Sequence, residues 1–426
     1  TAQRRDSILK LARMLSYNPS RTTAASGLLK FDAVKTTENV IDSAGINLAN
    51  ATIHWNDLTN DNWLEQFTAI INASLISSQD IGKPGNSQKI NNIQTDEYSI
   101  ALNPNTLPTA PFSVNVQGTP TSFEAVSATS VGESYVYEDD PTKTGQFNIL
   151  YRNDNNGNGS NNTGFFTFFK QGSLNATKFN IANAIPNNFI SVATQNITND
   201  DQWLYTLNVN GGPQTKWTQV PALPGTNVVF NNLTEKNLYQ INTLTNDKVN
   251  LVFGDGSFSN IPQGQFRFYY RTGNGVTYSV GPDEMSSVSV AFSYISKNNT
   301  VETLTVTASL KYTVTNATTS QSLESIKAYA PQQYYTQNRM VNGEDYNNFP
   351  FTAYNSIIKS KALNRASIGT SRYLELVDGT GKYASTNIFS SDGALYENYS
   401  LPSFQFTFAT SNEAANVISN RIQPIP

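Results

Sequence analysis

The pattern of apolar and polar positions predicts a chain built mainly of β-strands and turns, with short helices near both ends. The clearest strand is TLTVTASLKYTV, where apolar side chains from Leu304 to Val314 alternate with Thr, Ser and Lys. Alternation with one polar face is typical of a half-buried antiparallel strand. Short strands separated by Asn- and Gly-containing turns fill residues 113–318. This region is therefore predicted to be a large antiparallel β sandwich or barrel.

The segment GQFRFYYRTGNGVTYSV predicts a β-hairpin inside this region. Phe266, Phe268 and Tyr270 share one face of its first strand, and a Gly-Asn-Gly sequence begins at residue 273. Glycine and asparagine adopt the backbone conformations that tight hairpin turns require. We therefore predict that the chain turns back on itself at residues 273–275.

The N-terminal residues predict one amphipathic helix. Ile8, Leu11, Ala12 and Leu15 recur at helical spacing among basic residues, and the pattern stops before Pro19. An isolated helix shorter than about 12–15 residues is marginal in water, so this apolar stripe must pack on something. Leu11 and Leu15 are the candidate interface residues. The stripe can cover its own domain or a partner, and the sequence leaves both possibilities open.

Residues 27–112 mix helical and strand patterns, and they predict a small α+β domain. GLLKFDAV and EYSIAL have the composition of strands. Between them, WLEQFTAIINASL predicts a helix with Trp63 and Phe67 on its apolar face. Asn60 or Asp61 could cap the start of this helix.

After residue 318 the helical period returns, and a C-terminal mixed α/β domain is predicted. SQSLESIKAYAP predicts a helix that ends at Pro331. A second helix is expected at NGEDY, where Asn342 can cap and Glu344 and Asp345 lie in the first turn, favourably for the helix dipole. SRYLELVD then has the pattern of a strand, and SNEAANVISNRI that of a final helix.

The predicted fold class is α+β and multidomain. Its divisions are an N-terminal helix and linker (1–26), the α+β domain (27–112), the β-rich domain (113–318) and the mixed α/β domain (319–426). Proline-rich junctions at Asn18–Pro19, at residues 104–111 and at Pro331 are the expected hinges. Because the chain begins without methionine, we expect it to be an excerpt of a longer protein.

Composition removes several classes of function. The net charge is −4 and the pI is about 5.2, so no nucleic-acid partner is expected. The absence of cysteine excludes disulfides and thiolate metal sites. No run of about eighteen apolar residues exists, so no membrane span is predicted.

No set of residues forms a catalytic constellation in the sequence. His54 is the only histidine, and no Gly-x-Ser-x-Gly turn offers a nucleophile. The segment around Asp154 has one acid where a calcium loop needs several, and Asp255 lies in an ordinary Gly-Asp-Gly turn. We therefore predict no enzymatic activity, no cofactor and no metal site.

Several motifs occur together in an order typical of one family. They are NTGFFTFFKQGSL (162–174), LVFGDGSFSNIPQGQFRFYYRTGNG (251–275), Ala-Pro at 330–331, YYTQNRMV (334–341), EDY (344–346) and IKSKALNRASIGTSRYLEL (358–376). Across nearly its whole length the chain resembles the baseplate J-like family of contractile-tailed phages, and within it the large wedge subunit of the baseplate.

The resemblance implies a structural protein of the virion with no enzymatic activity. A wedge subunit of this kind assembles with a second copy of itself and another wedge subunit. Neighbouring wedges then join around the hub, and they meet sheath-proximal baseplate proteins. On host contact the ring changes shape and triggers sheath contraction and genome ejection. The implied location is the phage tail baseplate, which assembles in the host bacterial cytoplasm.

Two further hypotheses follow. Arg339 and Asp345 are close enough in sequence to pair across the joint between predicted helices, beside Tyr346, and so to fix an interdomain angle. This segment can equally be a local fold element. The alternative function is a β-rich receptor- or carbohydrate-binding tail or surface protein that uses Tyr, Trp and Asn.

Overall fold

The computed structural model describes residues 3–132, 134–137, 140–221, 223, 235–273, 279–336, 340, 343–353 and 360–362. Two compact units are present, Thr1–Ala330 and Pro331–Pro426. Arg339, Asn342 and the segments SRYLELVD and SNEAANVISNRI lie outside the described residues, so the predictions that rest on them stay predictions.

The chain is mostly β-strand, as predicted, with helices before, within and after the strands. In order the elements are α1 (Arg5–Met14), β1 (Ser26–Thr36), β2 (Ile53–His54), α2 (Trp63–Ser74), β3 (Asn86–Ile90), β4 (Ile93–Ala101), β5 (Thr109–Val116), β6 (Thr119–Val126), β7 (Ala128–Val131), β8 (Ser134–Tyr137), β9 (Gln146–Asn153), β10 (Gly164–Gln171), β11 (Ser173–Ile181), β12 (Phe189–Val192), β13 (Ile197–Leu207), β14 (Pro213–Gln219), β15 (Leu238–Thr243), a 3₁₀ turn (Thr245–Asp247), β16 (Val249–Phe253), β17 (Gly264–Thr272), β18 (Val288–Ile295), β19 (Val301–Leu310), α3 (Leu323–Thr336) and α4 (Gly343–Ala353).

The first sheet, called the large sheet below, has ten strands, and every pair of them is antiparallel. Its main order is β18-β19-β1-β10-β9-β4-β3, with β2 beside β1 and the β5–β6 hairpin joined through β6 to β10. All eight residues of β10 are buried, because Phe165 and Phe169 face the main core while Phe166 and Phe168 face a second cluster. A strand covered on both faces has a continuous apolar sequence, as GFFTFFKQ does.

Helix α2 packs on the core of the large sheet. Its predicted apolar face is buried, with Phe67 fully enclosed. The predicted cap by Asn60 or Asp61 is wrong, because the helix begins after Asn62, whose side chain makes no capping bond. The amide of Asn60 instead donates to Gln66 Oε1 at 2.8 Å.

The second sheet, called the barrel below, has seven strands in the order β11-β17-β13-β14-β15-β16-β12. It curls around a core of its own and is nearly closed. Phe266, Phe268 and Tyr270 face that core, as predicted. The turn and second strand of the predicted hairpin lie mostly in residues 274–278, outside the described residues, so this part of the prediction stays a prediction. Both edges of β17 are already paired, one with β11 and the other with β13. Alternation identifies the buried face of a strand but says nothing about its partners.

The predicted division at residue 112 falls inside strand β5. Strands β1 and β4 precede it and β9, β10, β18 and β19 follow it, yet all of them belong to the large sheet and share one core. The barrel is instead an insertion made by strands β11 to β17. Pairing between strands far apart in sequence leaves no local pattern, so a sequence-based boundary cannot detect it.

Helix α1 packs on helix α3 of the same chain. The buried members of their common cluster are Ile8, Leu9, Ala12, Tyr17, Ile326 and Ala330. Leu15 is half-buried against this cluster, whereas Leu11 is 52% exposed and does not pack within the described part of the chain, so its role as an interface residue stays a prediction. Leu9 is buried instead, because the face of α1 that packs on α3 is rotated towards Leu9 and away from Leu11.

The sequence predicted that helix α3 ends at Pro331, but the helix continues to Thr336. Proline removes one backbone hydrogen bond without preventing the following residues from remaining helical. Helix α4 carries the candidate residues Asp345, which is half-buried, and Tyr346, which is exposed.

Candidate structural joint

The linker between α1 and β1 lies where the barrel, the large sheet and helix α3 meet. Asn18 Nδ2 donates to the carbonyl oxygen of Ile241 at 2.7 Å, and Asn18 Oδ1 accepts from the N–H of Thr243 at 2.9 Å. The hydroxyl of Thr243 donates to the carbonyl oxygen of Pro19 at 2.8 Å. The residues predicted to act as a hinge are therefore held on barrel strand β15.

Arg21 follows in the same linker and is 1% exposed. Its guanidinium donates to the carbonyl oxygens of Ile197 at 3.1 Å and Thr198 at 3.2 Å, and to the hydroxyl of Thr243 at 3.0 Å. Burial lowers the pKa of Arg21 to about 10, while the nearby charge of Asp247 acts in the opposite direction. A buried cation that donates to two barrel strands thus fixes the linker against them.

The other side of the linker is bound to the segment before α3. Gln321 accepts at Oε1 from the hydroxyl of Tyr17 at 2.8 Å and from the N–H of Ser20 at 3.2 Å. The N–H of Gln321 in turn donates to the carbonyl oxygen of Ser20 at 3.1 Å. Burial raises the pKa of Tyr17 to about 12. One linker thus bonds to the barrel and to the α1–α3 pair.

A cluster of four charged side chains, called the ionic cluster below, makes the second contact between the two sheets. Glu124 and Lys170 come from the large sheet, and Asp201 and Arg271 come from the barrel. Arg271 is fully buried and bonds to Glu124 Oε2 at 2.9 Å and to Asp201 Oδ2 at 3.0 Å. Lys170 Nζ contacts Asp201 Oδ1. The cluster holds two positive and two negative charges, and this neutrality lowers the cost of burying them.

The chain crosses from the large sheet to the barrel beside this cluster, through the single residue Gly172. Gly172 has φ +86°, and a Cβ there would lie 2.1 Å from the carbonyl oxygen of Thr272. Its own carbonyl oxygen accepts from Arg271 at 3.3 Å, and Glu124 accepts from the N–H of Leu174 at 3.0 Å. The backbone and the charged side chains of the ionic cluster are therefore packed together where the chain crosses between the sheets.

Of the joint, only the Asn18–Pro19 junction was among the sequence candidates, and it was predicted as a hinge. Leu15 lies near it in the α1–α3 cluster, whereas Leu11 is exposed and Asp345 and Tyr346 belong to the other unit. A pair between Arg339 and Asp345 stays a prediction. One signal for the ionic cluster was present: Lys170 is the only charged residue of the largely apolar strand β10.

The sequence-based candidates for chemistry occupy ordinary turns. Asp154 accepts from Ser160 and Thr163, and these hydrogen bonds lower its pKa. Asp255 accepts from the N–H of Ser257 at 2.9 Å, as in a common Asx turn. Within the described ranges, no three His, Cys, Asp or Glu side chains converge as metal ligands, and no helix is long and apolar enough to cross a membrane.

Comparison with known proteins gives one match. A family model described as "Domain of unknown function (DUF8360)" matches residues 27–313, which include the large sheet and the barrel. No curated protein and no solved structure matches the chain.

Proposed function

We propose that this chain, which belongs to the family described as "Domain of unknown function (DUF8360)", is a structural subunit of a phage tail baseplate wedge. In this proposal it joins wedges into the ring around the hub, and it takes part in the shape change that triggers sheath contraction. It acts without a cofactor and as a non-enzymatic protein. Its partners are a second copy of itself, another wedge subunit, the neighbouring wedges, and the hub and sheath-proximal proteins.

The observation that carries a structural role is the joint. A subunit that transmits force between neighbours needs domains that keep their relative geometry under load. Here a buried arginine and a buried ionic cluster join two sheets that have separate cores. Buried polar contacts of this kind are better suited to specifying geometry than to adding net stability.

The motifs that resemble the baseplate family support the more specific assignment. NTGFFTFFKQGSL contains Lys170 and Gly172, and LVFGDGSFSNIPQGQFRFYYRTGNG contains Arg271. Two of the motifs thus include residues of the joint. A surface rich in Asn, Thr and Tyr, with only 14% charged residues in the chain, suits large polar contacts between subunits.

The test is the position of the chain in an intact virion. Tails purified from the phage that encodes it are examined by mass spectrometry and by electron microscopy of the whole baseplate. The proposal expects density for the large sheet and the barrel at the wedges, in two copies per wedge. Absence of the chain from purified tails, or density only at the tip of a fibre, contradicts it.

One observation favours the alternative of a carbohydrate- or receptor-binding protein. Phe189 and Phe258 are each more than half exposed on the barrel, and exposed aromatic rings can stack on sugars. A glycan-binding screen with the purified chain, repeated with Phe189→Ala, tests this alternative. Binding that the substitution abolishes favours a receptor-binding role, whereas a blank screen leaves the wedge proposal as the better one.

A further inference from the structure

We propose that Lys170 and Asp201 form an intramolecular isopeptide bond, which joins the large sheet to the barrel covalently. Lys170 Nζ contacts Asp201 Oδ1, and the two side chains are only 10% and 6% exposed. The ammonium and the carboxylate are therefore neighbours in a site from which most water is excluded. Such a bond is a modification that the chain performs on itself.

The proton acceptor in this proposal is the carboxylate of Glu124. Glu124 is the direct cross-strand partner of Lys170 in the β6–β10 pair. Directly opposite residues in an antiparallel pair have Cβ atoms about 4.5–5.5 Å apart, within reach of two long side chains. Glu124 is itself buried. A buried carboxylate beside a lysine can accept a proton from the ammonium and so generate the nucleophilic amine.

Arg271 is the fourth side chain of the proposed reaction site. Its Nε donates to Asp201 Oδ2 at 3.0 Å, which is the oxygen that Lys170 does not contact. Negative charge develops on that oxygen when an amine adds to the carboxyl carbon. A fixed guanidinium at this distance stabilises such charge in a water-poor site.

The backbone at Asp201 is held in an unusual conformation. Asp201 has φ +60°, and the pairing register of β13 with β17 shifts between Ile197 and Gln202. Aspartate adopts this left-handed conformation more readily than most residues with a side chain, and bulges of this kind redirect side chains. The bulge turns the carboxylate of Asp201 towards the large sheet, where Lys170 lies.

The reaction balances without any further reagent. Glu124 takes a proton from the ammonium of Lys170, and the resulting amine attacks Cγ of Asp201 to form the carbon–nitrogen bond. The bond from Cγ to Oδ1 then breaks. Oδ1 leaves as water with two protons that originate from the lysine nitrogen, and Glu124 returns to its carboxylate form. One ammonium and one carboxylate thus become one amide and one water.

Two physical effects favour the amide here over the free ions. Groups held in contact react with effective concentrations of about 10⁵–10⁸ M in well-oriented cases. The amide also removes two charges from a buried site, and Arg271 and Glu124 remain as a neutral pair at 2.9 Å. The described pairs Lys10–Asp6 and Lys297–Asp80 lack this advantage, because their side chains are exposed.

The test is the intact mass of the purified, folded full-length chain. The proposal expects a mass lower than the sequence mass by one water molecule, and a digest that contains a branched peptide linking Lys170 to Asp201. Lys170→Arg, Asp201→Ala and Glu124→Gln should each restore the full sequence mass, whereas the control Lys297→Arg should keep the loss of water.

A folded wild-type chain at its full sequence mass overturns the proposal, and this result does not require any variant to fold. A loss of water that persists in Lys170→Arg also overturns it, because the bond must then lie elsewhere. The outcome is independent of the wedge proposal, since a cross-linked chain can serve in any rigid assembly.

Discussion

The buried guanidinium of Arg21 gives the sharpest quantitative prediction about the joint. Arg21→Ala leaves two carbonyl oxygens and the hydroxyl of Thr243 buried without their donor. Each such loss costs about 2 kcal/mol, which gives a gross cost of about 6 kcal/mol. Removal of the charge returns part of this cost, because burial disfavours the charged guanidinium and lowers the pKa of Arg21 to about 10, an effect of about 3 kcal/mol. The expected net loss of stability is about 3 kcal/mol.

The assay is urea denaturation followed by tryptophan fluorescence, which reports both regions. Trp63 lies in the core of the large sheet and Trp217 in that of the barrel. We expect Arg21→Ala to lower the stability by about 3 kcal/mol and to separate the transitions of the two regions. The matched control is Arg267→Ala, which removes a half-buried arginine that bonds within the barrel. The reasoning fails if Arg21→Ala costs no more than this control.

Three further predictions test the crossing, the α1–α3 contact and the pH dependence. Gly172→Ala should lower the stability by more than 3 kcal/mol, because its Cβ would overlap a backbone oxygen. The control Gly157→Ala, at nearly the same φ but in open space, should lower it by only about 1–2 kcal/mol. Equal losses of stability in urea denaturation would contradict the steric argument. Leu9→Ala should cost about 2–5 kcal/mol and Leu11→Ala less than about 0.5 kcal/mol, so similar melting temperatures for the two variants would refute the assignment of the buried stripe. The pKa of Tyr17 is raised to about 12 in the folded chain, so folding favours its un-ionised hydroxyl. The stability that Tyr17 contributes is therefore complete below pH 10 and falls as the pH rises towards 12, by about 1.4 kcal/mol at pH 11. Tyr17→Phe should therefore be about 1 kcal/mol less stable than wild type at pH 8 but equally stable near pH 11, and a constant difference across this range would contradict the proposed titration.

The parts of the fold that depend on local periodicity could be predicted from the sequence. The buried face of β17 and that of helix α2 were both predicted, because alternation at two or near 3.6 residues follows directly from strand and helix geometry. The same periodicity is less decisive on a short helix. In α1, Leu9 and Leu11 flank the stripe on opposite sides, and only the contact with α3 selects Leu9.

The joint could not be predicted, because its residues are far apart in the chain. Arg21 and Thr243 are separated by 222 positions, and Glu124 and Arg271 by 147. No local pattern indicates that such residues meet. The sequence did place Lys170 near the end of the largely apolar strand β10, and a charge that is buried there needs a partner.

The central claim is that the linker and the ionic cluster hold the large sheet and the barrel as one body. The most direct measurement is the distribution of distances between two spin labels, one on each sheet, by pulsed electron paramagnetic resonance. Because the chain has no cysteine, the exposed residues Val209 of the barrel and Val301 of the large sheet can be replaced by cysteine and labelled selectively. The account predicts one narrow distribution in the otherwise unchanged chain and a broad one when Arg21→Ala and Arg271→Ala are combined. A broad or two-peaked distribution with the joint intact would contradict it.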